Sequence, residues 1–248
     1  MPAIFTSPFI SGGQTYYEYI SSLSPTVYYR LGESSGTTAV DDEGTHNATY
    51  VNSPTFGGTG AVGDSNTSIN LNGSSHHINA GLPASLNSFW ENGNGSTFLC
   101  WVRPETVDAG HGAILSRTNH VGQGYGIYLR DESGGFVRLR LFKAGAAGGG
   151  GWNTTSLPVE LNQWNFIAIT FKYLTNGLND PIFYVNGSSV ALTQTETGGG
   201  SDIDNTHTMY IGRFNDNTGH LDGDLDEVTF FAGTMLTSDQ ISTAYSLV

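Results

Sequence analysis

Ile182-Phe183-Tyr184-Val185-Asn186-Gly187-Ser188-Ser189-Val190-Ala191-Leu192 reads as a hairpin: an apolar strand, a two-residue turn and a return. Asn-Gly is a favoured connection of this kind, because both positions need positive φ and the resulting twist matches that of paired strands. Working outward, residues 164–173 are long and mostly apolar, as a strand covered on both faces would be. Residues 208–214 and 224–231 follow as further strands. Upstream, strands are predicted at 27–31, 47–51, 68–72, 76–80, 97–103 and 113–117. Residues 125–130 and 136–142 form another hairpin around 131–135, and Val137-Arg138-Leu139-Arg140-Leu141 alternates so that one face is wet. Thr237-Ser238-Asp239-Gln240 has the form of a capping box, with Ile241, Ala244 and Tyr245 as a helical stripe behind it. Strand after strand between Gly and Asn turns, with almost no helix, predicts an all-β sandwich of two antiparallel sheets.

A chain of 248 residues is long enough to bury such a core without disulfides or metals. Charged residues make up only 12% of it, and Gly, Ser, Thr and Asn fill the surface instead. The balance is acidic, with 22 Asp+Glu against 9 Lys+Arg and a formal charge of −13. Phosphate binding needs clustered Lys and Arg, so nucleic acid is not an expected partner. No stretch approaches the roughly 20 apolar residues of a membrane helix. The single cysteine, Cys100, lies in an apolar run and reads as a small core residue. Before Arg30 there is no Lys or Arg, and no apolar run of about seven or more, so no secretory signal is read. The expected location is therefore a particle assembled in a host cytoplasm.

Residues 1–24 differ from the rest. Pro2, Pro8, Gly12-Gly13 and scattered aromatics suggest an arm, with a short helix over 14–23, ahead of a sandwich over 25–248. Its apolar residues Ile4, Phe5, Phe9 and Ile10 would dock on the body or on a neighbouring subunit.

Several motifs carry a resemblance. Tyr28-Tyr29-Arg30-Leu31-Gly32-Glu33 with Ser35-Gly36-Thr37-Thr38-Ala39-Val40-Asp41 resembles the opening of bacterial laminin-G-like domains, whose usual wording has Trp where Tyr29 stands. Trp101-Val102-Arg103-Pro104, Trp164-Asn165-Phe166-Ile167-Ala168, Phe183-Tyr184-Val185-Asn186-Gly187, Tyr210-Ile211-Gly212 and Gly223-Asp224-Leu225-Asp226-Glu227-Val228 follow in the family's order. The resemblance spans residues 16–248 and implies the concanavalin A-like jelly roll. It implies carbohydrate or protein binding as the commonest work, and such domains also occur in phage virion proteins. In calcium-carrying relatives an Asp beginning the last long strand is a ligand, which here is Asp226.

Asp222-Gly223-Asp224-Leu225-Asp226-Glu227 is also where a hydrolase of this fold would be sought. Retaining glycosidases hold two carboxyls about 5 Å apart. Alternation puts Asp222, Asp224 and Asp226 on one face and Glu227 on the other. Asp in place of Glu, the following Gly and the position near the end of the sequence all depart from the hydrolase pattern. A non-enzyme is therefore expected. Asp41, Asp42 and Asn47 form a second oxygen-rich cluster for Ca2+, against the plainer reading that they cap turn amides. Trp90 and Trp152 fall in loops, where exposed rings would stack on sugars or else plug their own loops onto the body, whereas Trp101 and Trp164 read as core. His76-His77 point to opposite faces of a strand and make no shared chelate.

Together these readings give a non-catalytic bacteriophage virion protein, a capsid decoration or tail adhesin. It would be held through its arm to other virion proteins, repeated as a homo-oligomer on the particle, and in contact with host glycans. The rival readings are a free carbohydrate-binding module and a glycoside hydrolase of the same fold.

Overall fold

The computed structural model describes residues 13–87, 89–90, 93, 95–107, 111–118, 124–144, 150–172, 180–197 and 206–248. In chain order the strands are β1 (Val27–Tyr29), β2 (Thr38–Ala39), β3 (Ala48–Val51), β4 (Thr55–Thr59), β5 (Thr67–Asn72), β6 (His77–Gly81), β7 (Gly95–Thr106), β8 (Gly112–Thr118), β9 (Gly124–Ser133), β10 (Phe136–Lys143), β11 (Gly150–Thr154), β12 (Val159–Glu160), β13 (Asn165–Lys172), β14 (Ile182–Val185), β15 (Ser188–Val190), β16 (Leu192–Thr197), β17 (Met209–Ile211) and β18 (Asp222–Phe231). Two helices, α1 (Tyr16–Ser22) and α2 (Ser238–Ser246), accompany them.

The strands form two antiparallel sheets, as expected. The first runs β15-β14-β13-β7-β18-β5-β4, with β1 also on β18; the second runs β16-β11-β10-β9-β8-β17-β6-β3-β2, with β12 on β10. The opening hairpin is present as read: Val185 pairs with Ser188 across Asn186 and Gly187, at φ 50° and 75°. The return strand is shorter than expected. After Ala191 the chain leaves the first sheet and enters the second as β16, the strand bordering β11. At the 131–135 turn the strands run on until only Gly134 and Gly135 connect Ser133 to Phe136.

Period-2 alternation sorts the faces. Cys100 and Val102 of β7, Ile167 and Ile169 of β13 and Leu225 of β18 meet Ile127, Leu129, Leu139 and Leu141 of the second sheet in the main core. Each such side chain contributes roughly 1.5–3 kcal/mol on full burial. Cys100 is fully buried, and burial pushes its thiol pKa up, so it is an inert core residue.

The long apolar run of β13 is covered on its other side too. Phe166 and Ala168, with Leu99 and Trp101 of β7, form a second cluster under Tyr16 and Ile20 of α1 and Ile241 and Ala244 of α2. Both helices begin with complete capping boxes, on Thr15 and Thr237. This corrects the boundary drawn at residue 24: Tyr16 is 2% exposed and Ile20 fully buried, so the segment from α1 onward belongs to the body. Ile4, Phe5, Phe9 and Ile10 lie outside the described residues. Trp164, expected within a core strand, precedes β13 and is only half-buried against the second cluster.

Candidate functional site

The outer face of the second sheet carries a cleft, and its floor follows from the alternation of β9 and β10. Ile127, Leu129, Leu139 and Leu141 point inward, so Gly126, Tyr128, Arg140 and Phe142 point outward. The register places Tyr128 opposite Arg140, and Gly126 opposite both Phe142 and Ser116. Gly126 leaves a gap in this row of side chains. A Cβ there would make only ordinary contacts, at 3.7 Å from the Leu115 carbonyl oxygen and 3.8 Å from the Phe214 ring. The gap is thus a hollow and not a steric requirement of the backbone.

A braced loop between β17 and β18 forms one wall. Gly212 accepts from Leu221 N–H, and Phe214 N–H donates to the Thr218 carbonyl. Asn215 accepts from Ser116 Oγ and Thr118 N–H and donates to the Thr208 carbonyl. Arg213 donates to the Phe214 carbonyl and Asn217 Oδ1, its guanidinium 3.8 Å above the Tyr210 ring. Gly219, at φ 57°, lets the Phe214 ring lie where any Cβ would come within 2.4 Å of it. Phe214 then packs edge-on to Tyr128, with centroids 5.1 Å apart, and His111 lies against both rings.

The other wall comes from β11 and β16. Arg140 lies across Gly151 and donates to Asn153 Oδ1, Thr195 Oγ1 and the Glu196 carboxylate. Arg140 is almost fully sunk while Glu196 is half-exposed, so the pair presents its acid to solvent. Burial raises the Tyr128 phenol pKa, opposed by Arg140, and the hydroxyl stays protonated as a donor. The hollow measures about 350 Å3, with Asp216, Thr118 and Thr218 at its rim. Rings set beside amides, hydroxyls and carboxylates are what a sugar requires, since its C–H face stacks and its hydroxyls pair.

The two tryptophans proposed for that task sit elsewhere. Trp90 is fully buried, donating its indole N–H to the Ser96 carbonyl and packing on Phe89, Tyr125 and Phe171. Trp152 is 1% exposed, lies on β11 instead of in a loop, and donates to Asp180 Oδ1. Both rings complete the main core, because so large an apolar surface gains most where it leaves water. Neither is placed to stack on an external sugar.

The acids of β18 are also away from the cleft, on the outer face of the first sheet. Asp222 accepts from Thr106, and Asp224 from Arg103 and Asn70. Asp226 and Glu227 do not alternate as expected. Asp226 pairs with Trp101 and Thr229 with Leu99, so one extra residue bulges out, with Glu227 at φ 53°. The bulge leaves Val228 in the core and lets Glu227 reach Arg30 and Tyr28 Oη. Burial raises both carboxyl pKa values. Glu227 is offset by Arg30, whereas Asp226 has only backbone donors, Ala61 N–H on Oδ2 and that of Glu227, and is pushed further by the Glu227 charge, to about 8. An acid holding its proton more tightly folded than unfolded stabilises the fold below its unfolded pKa near 4, and that contribution is lost as pH rises through 8. In chelator, the wild type should therefore lose melting temperature between pH 5 and 8. Asp226→Asn should flatten the curve; parallel profiles would refute the assignment.

For a hard cation the residues fit at one atom. Asp226 Oδ1 is buried without a hydrogen-bond partner, and carboxylate oxygen is the donor calcium takes. The Asp41 cluster does not fit. Asp41 accepts from the N–H groups of Tyr28, Glu43, Thr45 and His46 and from Thr45 Oγ1, while Asn47 Oδ1 accepts from Asp41 N–H. These residues cap a turn, and Asp42 beside them is exposed. Among the described residues no three His, Cys, Asp or Glu side chains converge as a metal set. His77 and His220 meet edge-on at 6.1 Å, and burial lowers the pKa of each.

No curated protein matches the chain significantly in sequence. In structure it is similar to domain 4 of AbnA, a GH43 extracellular arabinanase from Geobacillus stearothermophilus, solved with arabinotriose. Identity is 17%, the TM-score is 0.56, and the match covers 89% of this chain and 98% of that one. It is also similar to the binding domain of botulinum neurotoxin DC in complex with SialylT, at 13% identity and TM-score 0.62, covering 91% of this chain and 52% of that one. The Trypanosoma rangeli sialidase matches at 15% identity and TM-score 0.55, covering 88% of this chain and 32% of that one. The chain thus spans about half of the neurotoxin domain and a third of the sialidase. Its sequence from residue 72 to 242 fits the profile of a laminin-G-like family, and with the two-sheet fold this makes the chain a member of the concanavalin A-like lectin/glucanases superfamily.

Proposed function

We propose that this domain binds carbohydrate without transforming it, through the cleft on the outer face of the second sheet. The observation that carries the reading is the convergence of Tyr128, Phe142 and Phe214 with the Arg140–Glu196 pair around one hollow. That domain 4 of AbnA was solved with arabinotriose favours sugar as the ligand class. The non-catalytic half of the reading is supported by the placement of Asp226 and Glu227, which are fully buried on the opposite side of the sandwich.

Glycan-array screening followed by calorimetry tests it. Tyr128→Ala should weaken binding about tenfold, equivalent to about 1.4 kcal/mol. Gly126→Val should abolish binding by filling the hollow, with an unchanged circular-dichroism spectrum. Full binding by Gly126→Val would remove the cleft from consideration. Reducing ends released from a bound polysaccharide, and lost in Glu196→Gln or Asp216→Asn, would make the cleft catalytic instead.

Calcium enters in narrowed form, at Asp226 alone. A cation there must displace the Asp226 proton, so stabilisation by Ca2+ should grow from pH 6 to 8 and vanish in Asp226→Asn. The placement on a bacteriophage particle, as capsid decoration or tail adhesin, rests on the sequence and on Ile4, Phe5, Phe9 and Ile10. Its test is attachment to particles after removal of residues 1–12, because removing 1–24 would also strip Tyr16 and Ile20 from the second cluster.

A further inference from the structure

The cleft does not end at the hollow over Gly126. A second hollow of about 420 Å3, lined by Thr206, Thr208 and Tyr210, shares Thr118 and Asp216 with it. A third, of about 290 Å3 beside Ser74 and His220, shares His111, Phe214 and Thr218. The three therefore form one trough bent around the loop at 212–221, with aromatic rings along its course: Tyr210 at one end, Tyr128 and Phe142 in the middle, and Phe214 between the middle and the far end. Such a surface suits several consecutive sugar units better than one terminal unit held in a closed pocket.

Charge along this trough is lopsided. The cations around it are sunk: Arg117 and Lys143 are fully buried, Arg140 is 3% exposed and Arg213 7%. Arg117 spends its donors on the Leu86 and His207 carbonyls and Asn87 Oδ1, and Arg140 spends its own on β11 and β16. Further along the face, Arg130 and Arg138 both pair with Asp131. Among the described residues lining the three hollows, the exposed carboxylates are Glu196, paired with Arg140, and Asp216, which accepts from Thr218. They accept hydrogen bonds from sugar hydroxyls, whereas a uronate or sialate carboxylate would meet like charge on a chain already at −13.

From this trough we infer that the ligand is an uncharged oligosaccharide segment of several units. The inference rests on the carbohydrate-binding reading and adds its chemical class. The test is calorimetry at pH 8, where imidazoles are neutral, on the intact protein. Neutral arabino-, xylo-, gluco- and manno-oligosaccharides of two to six units are compared with oligogalacturonides and a sialylated trisaccharide. A neutral series should bind with affinity rising at least tenfold from two units to five, and the acidic sugars should not bind. Tyr210→Ala should weaken the five-unit ligand severalfold and leave the two-unit ligand unchanged, while Glu196→Gln with Asp216→Asn should admit acidic sugars. Preference for acidic sugars, or affinity independent of length, would overturn the inference while leaving the cleft a sugar site. Absence of binding to every sugar, acidic and neutral, would instead sink the carbohydrate reading.

Discussion

Trp90→Ala is expected to lower the melting temperature by about 10 °C while leaving glycan affinity intact below the transition. The indole is fully buried, with centroids 4.7 Å from Phe89, 5.4 Å from Tyr125 and 6.1 Å from Phe171. Its removal opens a cavity that strands cannot close by sliding, since Tyr125 and Phe171 belong to different sheets. Truncations of this kind cost roughly 3–5 kcal/mol. In a chain of this length each kcal/mol moves the midpoint by about 2–4 °C. Differential scanning calorimetry with parallel binding titrations separates the two roles. A variant of normal stability that has lost binding would return Trp90 to the ligand site.

Glu227→Ala should cost about 3 kcal/mol by a different route. The carboxylate is fully buried and receives Arg30 through Nε at 3.1 Å and an Nη at 2.9 Å, along with the Tyr28 hydroxyl. Without it, Arg30 retains Asp64, which is why the loss falls at the low end of the roughly 3–5 kcal/mol for a broken buried pair. Most of that cost belongs to the charge left behind. Arg30→Met combined with Glu227→Leu should therefore be more stable than Glu227→Ala alone, by urea denaturation. If the double variant is the less stable, the cluster contributes net attraction and this account fails.

The sandwich was legible because its signals are local. Asn186-Gly187, the alternation at 137–141 and the capping box on Thr237 each dictate a conformation within a few residues. The same alternation held half of the cleft: once 125–130 and 136–142 are read as a hairpin, Tyr128, Arg140 and Phe142 must share the wet face. What it could not give is Phe214, which reaches the site through a loop remote in sequence and braced by Asn215 and Gly219. The rings of Trp90 and Trp152 were misplaced because neighbouring glycines and asparagines describe the backbone near a residue, not where its side chain points. At Glu227 the period-2 rule failed because a bulge inserts one residue, and nothing local in Asp226-Glu227-Val228 announces a left-handed glutamate. Asp41 looked like a metal ligand for the same reason that it makes a good cap: a short carboxylate serves cations and amide N–H groups alike.

The two helices sit side by side on the back of the first sheet, joined where the Tyr19 hydroxyl donates to the Gln240 carbonyl. The trough lies on the outer face of the second sheet, on the far side of the sandwich from both helices. Anything bound over the helix pair would leave the trough uncovered, because the two lie on opposite faces of the sandwich.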